Sequence, residues 1–264
     1  MLTLFQWFCL FGILSAAFAG GLYPLLRPVR ARDIKGFPLG EAFTAGVFFA
    51  LALIMMLPSS FHLLGKAFPQ LDFPLAALFA VAAFLFLLAL EHASHIVERD
   101  MTDPEADQLP VSIPLIMTTM IAIPSFLLGA AFAVSPFNAA VFIFIAIMMH
   151  KSSAAFGLAL MMVRSQLKHW QAWLSFTIFA FATPAGIVLG ADLHQTLGEY
   201  AMLVSKGVIL ALAGGTFLFM ATLHQCQNAA MIRICCDRAG FLCMLAGFAI
   251  TALVRLIIGE AHRL

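Results

Sequence analysis

The fold class this chain predicts is an all-α membrane protein, an eight-transmembrane-helix bundle with both termini outside, and three observations carry that expectation. Apolar residues fill 63% of the 264 positions and charged residues only 10%, and the mean hydropathy is +1.02. One water-soluble core has no use for that much apolar length. The apolar runs are separated by short polar breaks, none long enough for a soluble catalytic or receptor domain, so residues 1–264 read as a single transmembrane domain. Basic residues gather in alternate breaks, which sets the orientation.

A helix needs roughly 20 apolar residues to cross the hydrocarbon layer, and windows of that kind fall at about 4–26, 38–64, 72–95, 111–134, 137–163, 171–191, 200–225 and 239–259. The first contains Ala16-Ala17-Phe18-Ala19-Gly20, which looks cleavable, but no basic residue precedes its apolar stretch and that stretch continues past Gly20, so it reads as a helix. The second carries Leu57-Pro58, and the third ends in Glu91, His92 and His95. Pro124 and Pro184 lie inside the fourth and sixth, where each lacks an N–H and frees a backbone carbonyl. The longest break, around Val97 to Asp107, is a modest acidic linker. Small residues at four-residue spacing, Ala16 and Gly20, and the run Gly129-Ala130-Ala131 fit helix interfaces.

The breaks after spans one, three, five and seven hold Arg27, Arg30, Arg32, Lys35, Arg99, Arg164, Lys168, Arg233 and Arg238, whereas the other side offers little beyond Lys66, Arg255 and Arg263. The positive-inside rule then puts the basic loops in the cytoplasm, the termini outside, and the chain in a plasma or inner membrane. A net charge of +1 without a Lys/Arg-rich run argues against nucleic acid as a partner. The five cysteines, Cys9, Cys226, Cys235, Cys236 and Cys243, show no CxxC spacing and read as mostly unpaired. No cofactor is implied.

Function has to sit inside the bundle, and His150-Lys151 marks the place. Both stand mid-span, where an ionisable group costs about 2.5–3.5 kcal/mol for Lys and faces a bundle interior or a hydrated path. Imidazole suits zinc, iron and nickel as a ligand; the alternative is a buried histidine hydrogen-bonded to a helix carbonyl. Lys151 lies too deep to snorkel, and its ammonium would repel a second cation beside His150. Ser152 and Ser153 follow, but no carboxylate stands in span five, so a serine hydrolase has no support and an enzyme is not expected. Glu91 and His95 share a helix face at i, i+4 and are a candidate metal pair, with a polar helix end as the alternative. His62 beside Ser59 and Ser60 is a candidate entry residue, and the alternative is a plain interfacial histidine. Met55, Met56, Met148, Met149, Met161 and Met162 are soft donors whose commoner work is filling gaps.

Three motifs in register, His150-Lys151-Ser152-Ser153-Ala154-Ala155-Phe156-Gly157-Leu158-Ala159-Leu160, Thr183-Pro184-Ala185-Gly186-Ile187-Val188-Leu189-Gly190 and Ala213-Gly214-Gly215-Thr216-Phe217-Leu218-Phe219, resemble the later spans of the ZIP (Zrt/Irt-like) metal transporters. Ala45-Gly46-Val47-Phe48-Phe49-Ala50 with Leu57-Pro58 resembles the family's second span, and Leu90-Glu91 the end of its third. The pair His150-Lys151 and the Thr183 to Gly190 run are most similar to the animal-type subgroup. The resemblance implies eight helices, termini outside, inward movement of zinc or another divalent metal as substrate, the bilayer as surrounding and a homodimer as a reasonable assembly.

The fourth span departs from the pattern. Where the family typically has HSxxEG, this chain reads Pro124-Ser125-Phe126-Leu127-Leu128-Gly129, so the imidazole and the carboxylate are replaced by Pro124 and Leu128. Leu210 and Met55 likewise stand where the resemblance implies acidic residues, and His224 aligns with a glutamate of related proteins. An unpaired dication in a low-dielectric bundle is costly to desolvate. The expected metal-handling residues are therefore His150, Ser125 and Ser153, with carbonyls freed near Pro124, and Glu91 and His224 toward the exit. The other reading is a ZIP-like scaffold without metal transport, acting in regulation or interaction or carrying a different substrate. Transport predicts Ser125, His150 and Ser153 around one hydrated cavity; the scaffold predicts a dry centre at Leu128 and Leu210.

Overall fold

A computed structural model describes residues 2–27, 38–101, 110–223 and 236–261. Its helices are α1 (Leu4–Leu26), α2 (Pro38–Ala67), α3 (Leu75–Met101), α4 (Ser112–Val134), α5 (Phe137–Val163), α6 (His169–Thr196), α7 (Glu199–Thr222) and α8 (Arg238–Ala261). All eight are long and apolar enough to cross a membrane. The bundle therefore has a terminal end, where both chain termini lie, and a basic-loop end.

The expected windows match these helices closely at α1, α4 and α5. Two helices outrun them at a polar end: α3 continues to Met101, and α6 spans His169–Thr196. A hydropathy window stops at the first polar residues, whereas the backbone hydrogen bonds continue through a polar turn. At the start of α3 the shift goes the other way. Pro74 stands just before the first turn, and its carbonyl accepts from Leu78 N at 3.1 Å; its missing N–H costs nothing there. In α1 the first turn is closed reciprocally, Gln6 N donating to Thr3 Oγ1 at 3.2 Å and Thr3 N to Gln6 Oε1 at 3.0 Å.

Proline shapes α2 most visibly. Leu51–Met56 form a wide π turn immediately before Pro58, and the N–H of Leu57 reaches back to the carbonyl of Ala52. A wider turn gives the proline ring room that a regular turn denies it. Met55 and Met56, adjacent in sequence, are both buried there. Helices α4 and α6 stay continuous through Pro124 and Pro184.

The helices associate in four intimate pairs, and each pair meets at a glycine. Gly20 of α1 lies against the carbonyl of Ser152 in α5, and Gly215 of α7 against that of Ala80 in α3. Helices α2 and α8 meet twice, Gly46 facing the carbonyl of Met244 and Gly247 that of Phe43. In the α4–α6 pair, Gly129 faces the carbonyl of Thr183, Gly186 that of Phe126 and Gly190 that of Ala130. A Cβ at any of these positions would run into backbone oxygen. Between the pairs, α7 touches α2 and α4, and α5 touches α2, α4 and α6. Apolar clusters fill the interior, one around Phe48, Phe132, Ile143, Leu210 and Phe217, the other around Leu87, Met120, Leu158, Phe176 and Phe219. Helix α8 is peripheral, packing mainly on α2.

Gly186→Ala should destabilise the detergent-solubilised protein by about 1–3 kcal/mol, the usual cost of overpacking. Gly65→Ala, where nothing lies within 4 Å, should be neutral or slightly stabilising. Denaturant unfolding followed by circular dichroism compares the two.

Candidate functional site

Successive residues of a helix point about 100° apart, from the 3.6-residue turn, and α5 uses that angle to send its two ionisable groups to different neighbours. His150, 6% exposed, meets α2: its ring lies edge-on to Phe48, with centroids 4.6 Å apart at 69°. Phe48 in turn stacks on Phe217 of α7 at 4.5 Å. Lys151, 1% exposed, turns to α6. Its ammonium donates to the carbonyl of Phe179 at 2.9 Å and to Thr183 Oγ1 at 3.2 Å, and sits 3.8 Å from the centre of the Phe179 ring. A carbonyl, a hydroxyl and an aromatic face together replace water around the cation. The ammonium is thus bonded to α6 rather than held beside the His150 ring.

Two cavities lie on either side of this level. At the terminal end, a cavity of about 600 Å³ is floored by Met55 and Leu210 and walled by Ser59, His62, Lys206 and Arg255. At the basic-loop end, one of about 630 Å³ is lined by Gly20, Glu41, Thr44, Ser152, Ser153 and Phe156. Between them Met55, Leu128, Leu210, Phe48 and Phe217 belong to one buried apolar cluster. The centre at Leu128 and Leu210 is leucine-packed, the feature that separates the two readings of the sequence.

Of the expected site residues, the structure joins some and separates others. Ser153 lines the cavity at the basic-loop end, and its hydroxyl donates to the carbonyl of His150 at 3.0 Å. Ser125 is buried on α4 but lines none of the cavities described here. Glu91, 5% exposed, faces His95 across one helical turn with 3.8 Å between Oε1 and Nε2. His92 is exposed, and at one residue from Glu91 it stands about 100° round the helix. Among the described residues no three His, Cys, Asp or Glu side chains cluster as a metal cage. His224 lies outside the described residues, as do Cys226 and Cys235. His62 lines the terminal-end cavity, where an entry residue was expected. Sequence reading passed over Glu41, which is 8% exposed. The signal was available: a carboxylate in the first turn of an apolar span, three residues before Thr44.

A family model described as ZIP zinc transporter matches residues 113–255, more than half of the chain. The chain belongs to the ZIP zinc transporter family. It is 26% identical over 239 residues to Zinc transporter 3 of Arabidopsis thaliana, covering 80% of this chain and 69% of that protein. To Zinc transporter ZIP9-A of Xenopus laevis it is 30% identical over 154 residues, 54% of this chain and 49% of the relative. To Zinc transporter ZIP1 of Danio rerio it is 31% identical over 131 residues, 47% of this chain and 41% of the relative. The chain thus spans about half or less of the length of those two animal relatives.

The fourth helix carries Pro124 and Leu128 where the family resemblance implies an imidazole and a carboxylate. Pro124 and Leu128 are both buried there, and Gly129 makes the close contact with α6. Between Pro124 and Leu128 the side-chain oxygen is that of Ser125.

The Lys151 contacts predict a measurable coupling. Thr183→Val should cost about 1–3 kcal/mol by removing an acceptor from a buried cation, and clearly less in a Lys151→Met background. A double-mutant cycle of unfolding free energies in detergent reads the difference; equal costs in both backgrounds would mean that the 3.2 Å contact carries no energy.

Proposed function

We propose that this integral membrane protein carries a divalent metal, zinc foremost, toward the cytoplasm, and that His150 is the residue the ion meets at mid-membrane. Family membership supports a metal transporter as the general activity. The finer reading rests on one observation: a buried imidazole stands at a level between a cavity toward the terminal end and another toward the basic-loop end. With the basic loops assigned to the cytoplasm by the positive-inside rule, the terminal-end cavity is the entrance and the cavity with Glu41 and Ser153 the exit.

On this reading, Ser125 and Ser153 supply neutral oxygens around His150, and Glu41 provides a carboxylate that the fourth helix lacks. Glu41 precedes Phe48 by seven residues, about 10 Å along α2 at 1.5 Å per residue. The two groups therefore act in sequence, His150 first and Glu41 next, with Glu91 and His224 kept as exit residues from the sequence pattern alone. The substrate is the metal itself, and no resident cofactor is invoked. A plasma or inner membrane and a homodimeric assembly complete the proposal.

The leucine-packed layer at Leu128 and Leu210 favours the second reading, a scaffold without transport. We prefer transport because a carrier that rocks between two states must seal one side while the other is open. A dry layer beneath an entrance is what the sealed side of such a cycle requires.

Zinc uptake into liposomes holding the purified protein tests both readings. Saturable flux is expected, falling at least about tenfold in His150→Ala, the equivalent of 1.4 kcal/mol of lost ion binding. It should fall also in Glu41→Gln and stay unchanged in His169→Ala, whose ring meets Trp173 at the start of α6, accepting its indole N–H. Equal flux in His150→Ala and wild type removes His150 from the path; no flux of any divalent metal from folded protein favours the scaffold.

A further inference from the structure

The terminal-end cavity has the wrong charge for a bare metal ion. Its walls come from three helices and the α4–α5 turn: Ser59 and His62 of α2, Ser135 and Asn138 around the turn, Lys206 of α7 and Arg255 of α8. Every side chain of fixed charge among these is a cation, and no Asp or Glu is among the lining residues. The acidic residues described near that end, Asp72, Asp192 and Glu199, are not part of its wall. Lys206 and Arg255 are both half-buried, and both stand within apolar helices where a charge is expensive and marks function more often than packing. A snorkelling side chain would reach past the helix end to water; these two border a common space instead.

Size points the same way. A cavity of about 600 Å³ is in the range that takes an organic molecule, roughly 300–1,000 Å³, and far exceeds what a single ion fills. Its floor of Met55, Leu63 and Leu210 is apolar, while guanidinium, ammonium, imidazole and hydroxyl groups are arranged around it. Guanidinium and ammonium groups bind carboxylate and phosphate oxygens through short charge-assisted hydrogen bonds. A cleft lined by one sign of charge concentrates ions of the other sign.

We infer that the terminal-end cavity is an anion-binding site for a carboxylate- or phosphate-bearing molecule, held by Lys206 and Arg255 with its apolar part against Met55, Leu63 and Leu210. The anion comes either from solution or from a phospholipid headgroup at the terminal end of the bundle. The site stands on its own geometry. Joined to the transport reading, on which this clause alone rests, it means that the metal arrives accompanied by an anion and not as a bare hydrated dication.

The test is a calorimetric titration of citrate, without metal and at low ionic strength, into the purified full chain in phosphatidylcholine nanodiscs. Saturable binding is expected. Lys206→Gln and Arg255→Gln should each weaken it about tenfold, the scale of one hydrogen bond to a charged group. Arg255→Lys, which keeps the charge, should retain most of it, and Lys66→Gln, exposed at the same end outside the cavity, should leave it unchanged. A second arm replaces part of the lipid with phosphatidylglycerol and counts retained lipid by native mass spectrometry. Retention by wild type but not by the Lys206→Gln, Arg255→Gln double variant identifies the headgroup as the source. Undiminished citrate binding by the double variant overturns the inference, and so does folded wild type that binds neither citrate nor phosphatidylglycerol. Loss of zinc flux would leave these results untouched, so the two proposals fail separately.

Discussion

Backbone-to-backbone contact at glycine is the constraint on which the rest of this bundle depends. Inside a bilayer, lipid tails solvate a leucine as well as another leucine does, so helices associate through close packing. Gly20, Gly46, Gly129, Gly186, Gly190, Gly215 and Gly247 each bring a neighbouring helix so near that its carbonyl occupies the space a Cβ would take. Every helix belongs to one of these pairs, and the larger side chains then fill the gaps between pairs. Several of these glycines lie in the motifs that carry the family resemblance. That explains how the resemblance survives although Pro124 and Leu128 stand where it implies an imidazole and a carboxylate: the fold is written in one set of residues and the ligands in another.

Lys151 acts within this frame as a polar pin. Helix α5 is joined to α1 through Gly20 and Ser152, which sets their separation. The ammonium bonded to Phe179 and Thr183 sets something else, the rotation of α5 about its own axis. With Lys151 turned toward α6, the next ring in the helix must face α2, and His150 lies against Phe48 for that reason. A cation buried without water is held by a fixed trio of acceptors, so a small rotation of α5 would strip it of partners. Its burial is costly, and the compensation is orientation of the neighbouring imidazole.

Periodicity and hydropathy were enough to read the eight helices, because long apolar runs between short polar breaks admit few other arrangements. The mid-membrane position of His150 and Lys151 was readable for the same reason. What could not be read was direction around the helix axis. Sequence places Lys151 next to His150, and only packing separates them onto α6 and α2. Glu91, His92 and His95 look like a trio in the sequence, yet helical geometry joins only Glu91 and His95. Glu41 escaped notice because a carboxylate at a helix start reads as interfacial polarity; that it opens into a space shared with Ser152 and Ser153, more than a hundred residues later, is a tertiary fact. The π turn before Pro58 was likewise hidden, since nothing in the composition of Leu51–Met56 distinguishes it from ordinary helix.

Where the family resemblance implies a central carboxylate this chain has Leu128, and on the proposed transport reading that changes how tightly cargo is held. A dication exchanging its water shell for several anionic and imidazole donors at one point is bound deeply, and escape from such a cage is slow. On the proposed path the donors are spread along the membrane normal instead, with His150 at the middle and Glu41 about two helical turns beyond. No single position offers full compensation of charge, so residence at each is short and the ion is passed on. An anion accompanying the metal at the terminal end would offset part of the charge before the ion reaches the low-dielectric layer, where desolvation is most expensive. A cationic entrance and a poorly charged centre are then parts of one electrostatic arrangement: neutralisation that other designs concentrate in a central cage is divided here between the mouth and the exit.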